Sequence, residues 1–299
     1  MRVAFIFPGQ GSQYAGMGKE LINYTEYSHI FQKAKDILGY DILNIMVNGT
    51  ENELKETAIT QPAVFLFSAC LIEKYTSYMI KHEKATAGHS LGELTALYYA
   101  GALSLEDALF LVRERALGFS EASRQNPSTM AAVFTSTFHI VEEVCRNVSQ
   151  NGEIVVPANY NSPSQLVISG STEGVKRALE ELNKKGVKSV MLKVGGAFHS
   201  PLMEPAIKRF LPAVERVTLK NPRIPVYSNV DAKPHSNPSV IKENLIKQIT
   251  SPVLWWQTII NMKNDGVEAF CEVGPGSVLK NIIKKFLPEV PVIELSDLV

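Results

Sequence analysis

Apolar residues change their spacing repeatedly along this chain, and each spacing implies an element. The opening "RVAFIF" is a β-branched and aromatic run stopped by Pro8-Gly9, the pattern of a buried strand ending in a turn. Residues 18–38 and 61–80 predict helices. "ATAGHS" predicts a short strand, and "SLGELTALYYAG" a helix that stops at Gly101. In "SLEDALFLVRERALGFSEA", Leu105, Ala108, Leu109 and Val112 recur at helical spacing. Ser104 with Asp107 three residues on is a capping-box pattern at its start.

The middle of the chain has a different rhythm. "TMAAVFT" predicts a strand, "FHIVEEVCRNVSQ" a helix, and "EIVVPANYN" and "SQLVISG" two strands separated by Asn-Ser-Pro. "STEGVKRALEELNKKG" then predicts a helix and "VKSVMLKV" a strand. The order β-α-β-β-α-β is the ferredoxin-like pattern. Afterwards strands ("IPVYSN", "VEAFCEVGPG", "VPVIEL") again alternate with helices, which implies a mostly parallel sheet covered on both faces. The expected architecture is α/β, with a core from 1–127 and 197–299 and an inserted ferredoxin-like subdomain from 128–196.

Composition narrows the function class. Lys+Arg and Asp+Glu are both 30 in 299 residues, without the basic excess of a nucleic-acid-binding protein. "NKKGVK" and "IIKKF" read as solvated helix ends. Three scattered cysteines, Cys70, Cys145 and Cys271, form neither a disulfide framework nor a zinc spacing, and suit a reducing cytoplasm. No metal site is expected. No run approaches the roughly 20 apolar residues of a membrane span, and "VAFIF" is far shorter than a signal-peptide core.

The candidate chemistry starts at "GHSLG", residues 88–92. Gly-x-Ser-x-Gly between a strand and a helix is the nucleophile-elbow signature, which makes the expected core hydrolase-like. The helix N-terminus behind Ser90 favours developing negative charge, and the Leu91 amide is where one oxyanion donor should lie. A serine nucleophile needs a base. His89 is adjacent to Ser90, but neighbouring side chains on a turn diverge, so it reads as a pocket wall. His29, His82, His139 and His235 lie in polar contexts that suggest the surface. His199, in "VGGAFHSPLME" just past a strand, is the best base by exclusion. No Asp or Glu is persuasively placed to orient it. Either a backbone carbonyl or side-chain amide takes that role, or the triad reading is wrong. Arg115 alone reads as an exposed helix charge.

Several stretches together change that picture. "FPGQGSQYAGMG" (7–18), "TQPA" (60–63), "AGHSLGE" (87–93) and Arg115 in "LVRERA" are followed by "NYNSP" (159–163), "GAFHSPLM" (196–203), "SPVLW" (251–255) and "EVGPG" (272–276). In this order, across essentially the whole chain, the set resembles the malonyl-CoA:acyl carrier protein transacylases. The resemblance implies acylation of Ser90, His199 as base, and oxyanion amides at Gln10 and Leu91. It also implies that the Gln248 backbone carbonyl orients His199 and that Arg115 grips the malonyl carboxylate. His89, Phe119, Phe198 and Asn161 are the expected pocket residues.

The implied partners are malonyl-CoA as substrate and a separate acyl carrier protein whose phosphopantetheine thiol accepts the group, with no bound cofactor. The family's pathways, fatty acid and polyketide synthesis, share these motifs. Ala116 and Phe119 stand where the family often has Gly and Met, which bears on acyl-chain selectivity. Phe198 resembles the malonyl-selective form of its motif. The alternative on the same fold is an acyl-carrier hydrolase that releases stalled chains to water, and Arg115 argues against it for neutral acyl groups.

Overall fold

The computed structural model describes all 299 residues. Its strands are β1 (Val3–Phe7), β2 (Glu83–Gly88), β3 (Ser128–Phe134), β4 (Val155–Ser162), β5 (Gln165–Ser171), β6 (Lys188–Met191), β7 (Val226–Tyr227), β8 (Pro234–His235), β9 (Ala269–Glu272) and β10 (Val292–Ile293). The helices of the first half are α1 (Ser28–Leu38), α2 (Ile42–Asn48), α3 (Glu51–Lys55), α4 (Thr57–Met79), α5 (Gly92–Tyr99) and α6 (Leu105–Gln125). Those of the second half are α7 (Phe138–Gln150), α8 (Thr172–Lys184), α9 (Glu204–Arg216), α10 (Pro238–Gln248), α11 (Trp255–Asn264) and α12 (Val278–Phe286).

Two sheets organise these elements. The larger runs β10-β9-β1-β2-β7-β8, parallel except for the short β7–β8 pair. Strand β1 lies at its centre and is buried throughout. Alternate side chains of a strand face opposite sides. Val3, Phe5 and Phe7 therefore enter the main core, which α4, α5, α6 and α9 build. Ala4 and Ile6 enter a second core under α11 and α12. Covering both faces of a parallel sheet is what the continuous apolar run at the N-terminus requires.

The smaller sheet is antiparallel, in the order β4-β5-β3-β6, with connections β-α-β-β-α-β. Helices α7 and α8 cover one face and share an apolar core with it that includes Val133, Val144, Ile168 and Val175. Its other face turns toward the larger unit. The β4 backbone meets Val253 there through paired hydrogen bonds, Tyr160 N–H to Val253 O and Val253 N–H to Ala158 O, both 2.8 Å.

Three local expectations change. The helix expected over 18–38 is α-helical only from Ser28, with 3-10 turns at Met17–Glu20 and Thr25–Tyr27. Asn23, Tyr24 and Thr25 are poor helix formers, and burial of Leu21 and Tyr27 fixes the path of this segment. The helix expected from residue 61 begins at Thr57, so Pro62 lies inside it. Proline leaves the carbonyl four residues earlier without its helical donor; here the Tyr40 hydroxyl donates to that Ala58 carbonyl at 3.2 Å. Ser104 caps α6 by accepting from the Asp107 N–H at 3.0 Å, the forward half of the expected box.

Candidate active site

Strand β2 ends at Gly88, and α5 begins at Gly92. Between them Ser90 takes a left-handed φ of 55°, which is strained for a residue with a Cβ. The flanking glycines make the turn possible. A Cβ on Gly88 would lie 1.8 Å from the Gly92 backbone, and one on Gly92 would lie 2.1 Å from the Phe7 carbonyl oxygen. The elbow is thus wedged against the end of β1, and Ser90 is lifted into the cleft between the two sheets.

His199 comes from the other side of that cleft, 109 positions along the chain, and is also left-handed, with φ 59°. Its Nε2 is 2.8 Å from Ser90 Oγ, and its Nδ1 is 2.9 Å from the Gln248 carbonyl oxygen. A carbonyl can only accept, so Nδ1 carries the proton and Nε2 is free to accept the serine hydroxyl. No acid orients this histidine; a backbone carbonyl at the end of α10 does. Burial, helped by the nearby Arg115 charge, pulls the His199 pKa down to about 3. It is therefore a neutral imidazole at physiological pH.

Arg115 is 1% exposed on the inward face of α6, so the exposed-charge reading is overturned. Its Nη1 donates to Gln61 Oε1 at 2.9 Å. Its Nη2 donates to Gln248 Oε1 at 2.9 Å and to Ser90 Oγ at 3.0 Å. Burial pulls its pKa down to about 9, with Glu93 opposing, so it stays cationic near neutrality. The guanidinium also lies over the Phe119 ring, 4.3 Å from its centroid.

Phe119 is fully buried and does not line the cleft, contrary to expectation. It packs against Phe198 at 5.1 Å, and Phe198 does form part of the wall. His89 and Asn161 also line the cleft, with His89 Nε2 2.8 Å from Asn161 Oδ1 and its ring against Trp255. Met130, Val167 and Leu192 from the antiparallel unit and Ile282 from α12 complete apolar walls. Gln10 lines the floor beside Ser90. Neither the Gln10 nor the Leu91 backbone amide donates to any acceptor within the protein. The Ser90 amide, in contrast, donates to Asn229 Oδ1 at 2.7 Å.

Reading from sequence missed Gln61, Glu93 and Asn229. Each lies in a quoted segment ("TQPA", "AGHSLGE", "IPVYSN"), yet nothing in local spacing marks it as part of the site. Glu93 is 2% exposed, and its Oε2 accepts from the Asn229 N–H at 3.0 Å and from Gln248 Nε2 at 2.7 Å. His29 and His139 are exposed, and His82 and His235 half-buried, all away from the cleft.

Known proteins are similar to this chain over its full length. The family described as "Acyl transferase domain" matches residues 4–298. The malonyl CoA-acyl carrier protein transacylase of Bacillus subtilis (strain 168) is 38% identical over 298 residues, covering 99% of this chain and 94% of the relative. The enzyme of that name from Staphylococcus aureus (strain COL) is 36% identical, covering 99% and 96%. Among solved structures, the Coxiella burnetii malonyl CoA-acyl carrier protein transacylase superposes with a TM-score of 0.94 at 35% identity, covering 100% and 95%. A malonyl-transacylase solved in complex with its type II PKS acyl-carrier protein gives 0.93 at 33%, covering 98% and 96%. Matched over nearly its whole length by the family and by relatives of that name, this chain belongs to the malonyl-CoA:acyl carrier protein transacylase family of acyltransferases.

Proposed function

We propose that the chain transfers a malonyl group from malonyl-CoA to the phosphopantetheine thiol of an acyl carrier protein, through a malonyl ester on Ser90. The observation that carries this reading is the Arg115 guanidinium, buried and 3.0 Å from Ser90 Oγ. A buried cation beside a nucleophile fits an acyl group that ends in a carboxylate, which arginine can bind with two parallel hydrogen bonds.

In the first half-reaction Ser90 Oγ attacks the thioester carbon while His199 Nε2 takes its proton. The negative charge that develops on the carbonyl oxygen is received by the free amides of Gln10 and Leu91. Collapse expels coenzyme A, whose sulfur recovers the proton from His199. The carrier's thiol then attacks the ester by the reverse path and leaves as malonyl thioester, with Ser90 restored. A covalent intermediate is needed because donor and acceptor both reach Ser90 through one cleft and occupy it in turn.

Desolvation and the Arg115 charge make His199 a weak base in the free protein. A malonyl carboxylate on Arg115 cancels much of that charge and raises the basicity of His199 when substrate is present. Each step is carried by this chain's own residues. Phe198, held by Phe119, closes the space beside the acyl group and favours malonyl over branched analogues. Free, buried Cys70, Cys145 and Cys271 suit the cytoplasm.

Incubation with malonyl-CoA followed by intact-mass measurement tests the reading. One malonyl group is added to the wild type and none to Ser90→Ala; a wild type that takes up no acyl group from any acyl-CoA sinks it. Release of the loaded group at equal rates with and without carrier protein would assign an acyl-carrier hydrolase instead.

A further inference from the structure

The catalytic steps above leave one buried ionisable group without a role. Glu93 sits three residues after the nucleophile, in the first turn of α5, and contacts neither Ser90 Oγ nor His199. Its Oε2 receives the Asn229 backbone N–H and the Gln248 side-chain N–H, and the Ser228 hydroxyl also bonds its carboxyl group. These donors favour the carboxylate, against the burial that favours the acid.

The two donors on Oε2 belong to the residues that hold the catalytic pair. Asn229 straddles the elbow: its Oδ1 takes the Ser90 N–H and its Nδ2 donates to the Gly88 carbonyl, both at 2.7 Å. Gln248 offers its backbone carbonyl to His199 and its Oε1 to Arg115, while Nε2 also reaches the Ser90 carbonyl at 3.1 Å. The anion on Nε2 fixes which end of the Gln248 amide faces Arg115.

We propose that Glu93, as a carboxylate, is a positioning residue that locks the serine elbow to the histidine-orienting carbonyl and balances Arg115 until the acyl carboxylate arrives. The inference rests on acyl transfer through Ser90. The groups that face Glu93 are Arg115 from α6, Gln248 from α10, Ser228 and Asn229 after β7, and the elbow's own Ser90; His89 and His199 lie one contact further out. Of these only Arg115 is charged at neutral pH. Burial raises the Glu93 pKa to about 7, against the hydrogen bonds from Asn229, Gln248 and Ser228 and the charge of Arg115. Its protonation therefore falls in the neutral range, far above that of His199.

Rapid-quench intact-mass measurement of Ser90 malonylation from malonyl-CoA between pH 5 and 9 tests this. Wild-type acylation should fall on acidification with a midpoint near 7. Glu93→Gln keeps the shape and an acceptor oxygen but not the charge. It should acylate about tenfold more slowly at pH 8, the loss of one charge-assisted hydrogen bond. It should also lose the limb near neutrality, without a raised KM. A variant that acylates at the wild-type rate, keeps the wild-type limb, or raises KM in step with the lost rate overturns the proposal. If Glu93→Gln does not fold, the wild type decides: a profile flat from pH 6 to 8 overturns it. A wild type that acquires no malonyl group at all overturns the acyl-transfer reading itself, a different result from any of these.

Discussion

The two sheets of this molecule are built on opposite terms. The antiparallel unit, from β3 through β6 with α7 and α8, buries only neutral side chains, and its helices are strongly amphipathic over an apolar core. No residue in it other than glycine has a positive φ. The larger unit buries Glu93, Glu114, Arg115 and His199, and holds Ser90, His199 and Ala232 in the left-handed region. Burying charge and straining the backbone both cost stability. Two of the three strained residues, Ser90 and His199, and most of the buried charge gather at one cleft, while the antiparallel unit supplies that cleft with walls. The difference teaches where function has displaced stability: regular packing on one side of the cleft allows irregular chemistry on the other.

The sharpest break between the units should come at Arg115. Arg115→Ala leaves the Gln61 and Gln248 amide oxygens without their donor. Malonyl loading should fall about 100- to 1,000-fold, the range expected for unpairing a buried carboxylate. Acetyl loading should fall less than about tenfold, since no carboxylate needs a partner. Equal losses, read by intact mass with the two acyl-CoA donors, would make Arg115 a packing residue and blur the contrast.

Ile168→Ala, in the core of the antiparallel unit, should do the reverse. It should cost about 2–4 kcal/mol of unfolding free energy in denaturant titration, as buried large-to-small changes do. Initial loading rates at 25 °C should stay within about twofold. A loading rate that falls with stability would show that the walls do more than enclose.

The smallest effect is a pH-dependent shift in stability. The folded protein raises the Glu93 pKa from 4.5 to about 7, so folding favours its protonated form. Its contribution is fully present below about 4.5 and is lost as pH rises through 7. Glu93→Gln carries no such loss. The difference in Tm, variant minus wild type, should therefore move upward between pH 5 and pH 8. His199, whose lowered pKa makes stability fall on acidification, is present in both proteins and cancels. A difference that stays constant with pH would place Glu93 outside the buried charge system.

Much of this was legible along the chain because it depends on local repetition. Short β-branched and aromatic runs and helical apolar spacing marked the main elements, and the β-α-β-β-α-β order marked the antiparallel unit. The helix expected from residue 61 starts earlier, at Thr57, with Pro62 inside it, and Tyr40, distant in sequence, serves the carbonyl that Pro62 frees. Strand ends such as Val226–Tyr227 came out shorter than their apolar runs, because pairing needs a neighbouring strand and not only the right residues.

For the site, the sequence by itself carried the elbow signature, Gly88-His89-Ser90-Leu91-Gly92 between a strand and a helix; the structure added that Gly88 and Gly92 have no room for a Cβ. It also narrowed the base to His199 by exclusion. Only the tertiary structure decided that Arg115 is buried against Ser90, that Phe119 lies beneath that cation and not in the cleft, and that Glu93, Gln61 and Asn229 surround them. Apart from the Arg115–Phe119 contact within α6, these are contacts between segments 19 to 155 positions apart. Whether a charged side chain faces water or a buried partner depends on what the fold brings against it, and no local pattern records that.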